Sequence, residues 1–95
     1  NVLASLRVQA LDAATMSQLN IPAKMTGVVV TSVEGGGPAE SAGVQRGDVI
    51  QEVNHQVVIK LEDYQKASSA LKKDEMAVLL LSRQGNNLFV AVNPQ

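Results

Sequence analysis

The chain has 95 residues, 45% of them apolar, and a net charge of −1, which is enough for one hydrophobic core and too little for a protease of ordinary size. It has no basic cluster, and its only aromatic residues are Tyr64 and Phe89. It therefore offers neither a phosphate-tracking surface nor base-stacking platforms, and nucleic acid is excluded as the expected partner. Without cysteine there are no disulfides or thiolate metal sites, and no run approaches the roughly 20 apolar residues of a membrane span. Residues 1–95 are expected to form a single domain, with any signal or anchor lying outside this chain.

Leu3 to Leu11 alternates, with Leu6, Val8 and Ala10 on one face and Arg7 and Gln9 on the other, the period of a half-buried strand. Asp12 is a good N-cap for a short helix over Ala13 to Leu19, which Asn20-Ile21-Pro22 ends. A second strand begins at Gly27-Val28-Val29-Val30 and leads into a glycine-rich loop. Pro38, whose missing amide hydrogen suits the first helical position, opens one turn of helix that Gly43 closes in a left-handed conformation. Gly47-Asp48 then turns the chain into Val49-Ile50-Gln51-Glu52-Val53. Asn54-His55 is a hairpin signal before Gln56-Val57-Val58, with His in place of the usual glycine.

Leu61 to Lys73 has the best helical pattern. Leu61, Tyr64, Ala67 or Ser68, and Leu71 form one stripe, with Glu62 and Asp63 in the first turn and Lys72 and Lys73 in the last. Lys60, at the N-cap, cannot accept a bond from the first-turn amides, so this helix is under-capped. Met76 to Leu81 and Leu88 to Val92 read as strands joined by Gln84-Gly85-Asn86-Asn87. The sum is an α+β fold, a small five- to six-stranded antiparallel barrel or sandwich with two helices besides the turn at Pro38.

Gly27 to Asn54 resembles the PDZ fold in the form attached to bacterial HtrA (Deg, Do-type) serine proteases. Gly36-Gly37-Pro38-Ala39 is similar to the family's Gly-Ser-Pro-Ala, Ala42 to Ile50 to its Ala-Gly-Leu-x-x-Gly-Asp-Val-Ile, and Val53-Asn54-His55 to its Val-Asn-Gly. The order of elements resembles bacterial protease-linked PDZ domains more than animal scaffolding ones, and the resemblance is to a second, C-terminal PDZ domain of such a protease. The resemblance implies a periplasmic parent and a module that is not itself an enzyme. Its expected partners are C-terminal or unfolded peptides, with the parent's protease domain and other subunits, and no cofactor is expected.

The family adds a peptide as a strand between a groove strand and the long helix, and holds its carboxylate on the amides of a loop reading x-φ-Gly-φ, where φ is apolar. By resemblance that loop is Leu3-Ala4-Ser5-Leu6. Leu6 and Val8 then point into the groove and Arg7 away from it, while Tyr64, Ser68 and Leu71 are the groove-facing helix positions. Ala4, Leu6, Ser68 and Leu71 would wall a pocket suited to Val, Leu, Ala or Phe. Ser5 stands where the family has glycine, so the ligand-free loop is expected to relax into another shape, which binding must reverse at a cost in strain. A degenerate pocket would leave a structural module holding the protease in an oligomer.

Other patterns have plainer readings. Arg46-Gly47-Asp48 spells an adhesive tripeptide but falls on the expected Gly-Asp turn. Gly35-Gly36-Gly37 lacks the Lys-Ser/Thr of a phosphate loop. His55, the sole histidine, reads as a hairpin-tip residue rather than part of a triad or a zinc site.

Overall fold

The computed structural model describes residues 1–22 and 24–94. Its strands are β1 (Leu6–Ala10), β2 (Val28–Val33), β3 (Val49–Val53), β4 (Gln56–Val57), β5 (Ala77–Arg83) and β6 (Asn86–Val92). Its helices are α1 (Ala13–Gln18), α2 (Pro38–Ala42) and α3 (Leu61–Ser69), and a 3-10 turn over Val2–Ser5 precedes β1. The six strands form one antiparallel sheet in the order β1-β2-β3-β5-β6, with β4 branching from β3. The sheet wraps a single core in which Val28, Val30, Ile50, Val53, Leu79 and Leu81 are essentially solvent-free. Each such side chain contributes on the order of 1.5–3 kcal/mol of burial.

The expected elements are present, with shifted boundaries. The first strand starts at Leu6 rather than Leu3, because Asn1 caps a turn that winds Val2–Ser5 into a 3-10 helix instead. α1 begins where Asp12 Oδ1 accepts from the Thr15 amide at 2.7 Å, a bond that holds the Asp12 carboxyl below its ordinary pKa. α2 has Pro38 at its first position and ends on Gly43 at φ 96°. α3 stops at Ser69, so Lys72 and Lys73 lie beyond the last turn and not within it. A local turn replaces further helix there: the Glu75 carboxylate accepts from the Lys72 amide at 3.0 Å, and the Glu75 amide donates to the Lys72 carbonyl at 3.2 Å. Asn54 and His55 have φ of 48° and 67°, the left-handed pair that a two-residue hairpin needs, and His55 is exposed at the tip. Gln84 and Gly85, at φ 51° and 82°, make a second such turn, which lets β6 begin at Asn86 instead of Leu88.

Lys60 is the N-cap of α3 and offers no side-chain acceptor to its amides. Asp63 supplies the reciprocal half of a capping box, accepting from the Ile59 and Lys60 amides at 3.0 and 3.1 Å. Those bonds, the one from Ile59 foremost, hold its carboxyl below the ordinary value.

Asp48 is 2% exposed, which rules out presentation of Arg46-Gly47-Asp48 as an adhesive loop. Its two oxygens accept from Arg83 Nε at 2.8 Å and Nη2 at 2.6 Å, and Oδ2 also accepts from the Gln45 amide at 2.9 Å. The second hydrogen of Arg83 Nη2 reaches the Gly43 carbonyl at 2.8 Å. This planar, bidentate pair holds the guanidinium pKa above its usual value.

Two stability outcomes follow from these contacts. Lys60→Ser supplies the missing acceptor and is expected to stabilise by about 1 kcal/mol in urea unfolding. Arg83→Ala leaves a buried carboxylate with no cation and is expected to cost about 3 kcal/mol, the low end for a broken buried pair because Arg83 is partly solvated. A loss below about 1 kcal/mol would show that water replaces the guanidinium.

Candidate functional site

β1 has a strand on one side only, so its other edge is open. The Ser5 carbonyl accepts from the Glu34 amide at 2.9 Å and the Arg7 carbonyl from Thr31 Oγ1 at 3.2 Å, both toward β2. By the alternation of an antiparallel strand, the Leu6 carbonyl and the backbone groups of Val8 turn to the open edge, while the Leu6 amide donates to the Leu3 carbonyl. α3 is joined to the turn that precedes β1 by the bond from Asn1 Nδ2 to the Ser68 carbonyl, and its Tyr64, Ala67 and Leu71 belong with Leu6 to the one core cluster, against which Val8 packs.

Of the nine residues singled out in the sequence, Leu6, Tyr64 and Leu71 lie in the core cluster and Val8 packs against it. Arg7 is exposed, on the side expected of it. Leu6, Tyr64 and Leu71 are only 7%, 6% and 8% exposed, so in this conformation all three serve as core residues. Three clefts of 540 to 590 Å³ open elsewhere on the surface, and their linings include none of the nine residues. Ser68 is half-buried, and its carbonyl accepts from Asn1 Nδ2 at 2.7 Å, which ties the start of the chain to the helix wall.

The loop Leu3-Ala4-Ser5-Leu6 carries a contact outside the expected pattern. Ser5 lies in the 3-10 turn and is not among the residues with positive φ, so the ligand-free loop holds a relaxed backbone at this position. Its hydroxyl donates to the Val2 carbonyl at 3.0 Å and accepts from the Ala39 amide at 3.3 Å. Ala39 is in the first turn of α2, whose N-cap, Gly37, has no side chain to offer. Ser5 thus performs from 34 residues away the task of a capping side chain. Gly37 must be small for this contact, because a Cβ there would sit 3.1 Å from Ser5 Cβ. Nothing in the local sequence around Ser5 signals a partner on α2.

Tyr64, the sole tyrosine, has its phenol pKa pushed up to about 12 by burial.

A PDZ-domain family model matches residues 5–93, and the chain belongs to the PDZ-domain family. Its relatives are HtrA-type and DegP-like serine proteases. A probable periplasmic serine endoprotease, DegP-like, of Chlamydia pneumoniae is 33% identical over 91 residues, which cover 95% of this chain and 18% of that protein. A serine protease Do-like HtrA of Lactococcus lactis is 50% identical over 52 residues, 54% of this chain and 13% of that protein. The chain therefore spans less than a fifth of the length of these relatives. Among solved structures, the HtrA-type protease AlgW with a decapeptide superposes with a TM-score of 0.84 at 21% identity, covering 94% of this chain and 27% of that one. The HtrA3 PDZ domain bound to a phage-derived ligand, FGRWV, gives 0.75 at 22% identity, covering 96% of this chain and 82% of that one.

The buried phenol gives a direct readout of how closed the groove is. Absorbance titration should place the Tyr64 midpoint near 12 in the folded domain and near 10 after unfolding. The unfolded chain then loses its proton first, so stability is full below about pH 10 and falls as pH rises toward 12. A folded-state midpoint near 10 would show an open, hydrated groove.

Proposed function

We propose that this domain takes up an extended peptide with a free apolar C-terminal residue as an added strand on β1, facing α3. In this reading it is a substrate-recognition or regulatory module of a periplasmic HtrA-type serine endopeptidase. The observation that carries it is the position of β1 at the end of the sheet, with the Leu6 carbonyl and the backbone groups of Val8 turned to the open edge and Leu6 in one core cluster with Tyr64 and Leu71. Backbone pairing supplies affinity there, and the side-chain pocket supplies selection. The peptide ligands named for two solved relatives support it, as do the protease names of the sequence relatives. Peptide hydrolysis would belong to other parts of the parent chain.

A second reading, a module that docks on the protease or its other subunits, draws on a different surface. Glu52 is flanked by Val57 on β4 and Leu80 on β5, and Leu80 faces Phe89 on β6, in one row across the sheet. Phe89 is 63% exposed on this face.

Titration with peptides ending in Val, Leu, Ala or Phe, followed by backbone amide NMR, is expected to give affinity on the order of micromolar, because one short strand and one pocket make a small interface. Shifts should centre on Leu3–Gln9 and Tyr64–Leu71. Leu6→Glu should abolish binding by placing a second negative charge beside the peptide carboxylate. Because Leu6 is also a core residue, Val8→Glu on the half-buried position beside it serves as the folded control and should weaken binding about tenfold. Unchanged affinity in both folded variants would move the groove elsewhere, and no shifts with any peptide would favour the docking module.

A further inference from the structure

The amides expected to meet a peptide carboxylate are engaged within the chain. The Leu3 amide donates to Asn1 Oδ1 at 3.0 Å, the Ala4 amide to the Asn1 carbonyl at 3.0 Å, and the Leu6 amide to the Leu3 carbonyl. Asn1 Nδ2 then spans to the Ser68 carbonyl on α3, across the end of the groove where a terminal carboxylate would arrive. This arrangement is anchored outside the loop through Ser5, whose hydroxyl bridges the Val2 carbonyl and the Ala39 amide of α2. Ala39 is fully buried, so water is not at hand to take over if the hydroxyl leaves. The contact on Gly37 and the bond from the Glu34 amide to the Ser5 carbonyl bind the same loop to the β2–α2 connection.

We infer that Ser5 is a latch: it keeps the loop wound in its 3-10 turn, a self-satisfied closed state, and a peptide carboxylate gains the loop amides only when the Ser5–Ala39 bond opens. The inference rests on the proposed peptide groove and adds a closed resting state to it. A bond present in the closed state and absent from the bound one opposes binding by its own free energy. The latch also couples the groove to α2, which shares its C-terminal Gly43 with the Asp48–Arg83 pair, so peptide uptake is felt at the far end of the loop that follows β2.

The substitution that separates a latch from backbone strain is Ser5→Ala, which removes the hydroxyl and keeps the Cβ. Calorimetry with a synthetic decapeptide ending in valine should show binding three- to tenfold tighter than wild type, about the worth of one such hydrogen bond. In the free protein, hydrogen exchange at the Ala39, Ala4 and Leu6 amides should be faster in Ser5→Ala. Should Ser5→Ala fail to fold, hydrogen exchange at the Ala39 amide of the wild type carries the test: protection there should fall when peptide is bound, and unchanged protection overturns the latch. Unchanged or weaker binding by folded Ser5→Ala, while wild type binds, overturns the latch and leaves the groove standing. A gain with Ser5→Gly but none with Ser5→Ala also overturns it, in favour of strain. Absence of binding by wild type and every variant removes the groove, and the latch with it.

Discussion

A carboxylate at 2% exposure has to be matched, and the way Asp48 is matched organises this domain. Arg83 meets both its oxygens in one plane, and the Gln45 amide occupies a further lone pair. The same guanidinium reaches the Gly43 carbonyl, so one side chain of β5 secures the end of α2, the turn into β3 and its own strand. An apolar pair of equal volume could hold these segments as tightly, but it would not fix their direction as a fork of hydrogen bonds does. With that corner set, β3 enters the middle of the sheet and β1 is left at its end.

From that placement the site acquires its character. An end strand carries unpaired backbone groups, which proteins usually cover or use. Here Leu6 and the α3 residues Tyr64, Ala67 and Leu71 are all part of the core, so in the proposed reading the walls of a peptide groove would complete the core when no peptide is present. A peptide would then exchange one set of apolar contacts for another instead of filling an empty cavity. Such exchange makes affinity modest and sensitive to the loop that must move first.

The loop is where the family pattern and this chain part company. In the ligand-free loop Ser5 lies unstrained in a turn with right-handed backbone, and its hydroxyl caps another helix. The small residue that close approach demands has moved to Gly37, opposite Ser5.

What the sequence determined by itself were the features set by local chemistry. Period-two alternation marked β1, Asp12 and Pro38 marked helix starts, and Asn54-His55 marked a two-residue hairpin, because propensity, capping and turn geometry act over a few residues. The helical stripe placed Tyr64 and Leu71 on the face that joins the core. The tertiary structure alone decided the rest. It joined Asp48 to Arg83 across 35 residues, and it brought the Ser5 hydroxyl to the Ala39 amide across 34. Each of these is a polar group satisfied by a partner far along the chain. Which partner it finds depends on the packing that brings distant segments within hydrogen-bond reach, and no local pattern encodes that.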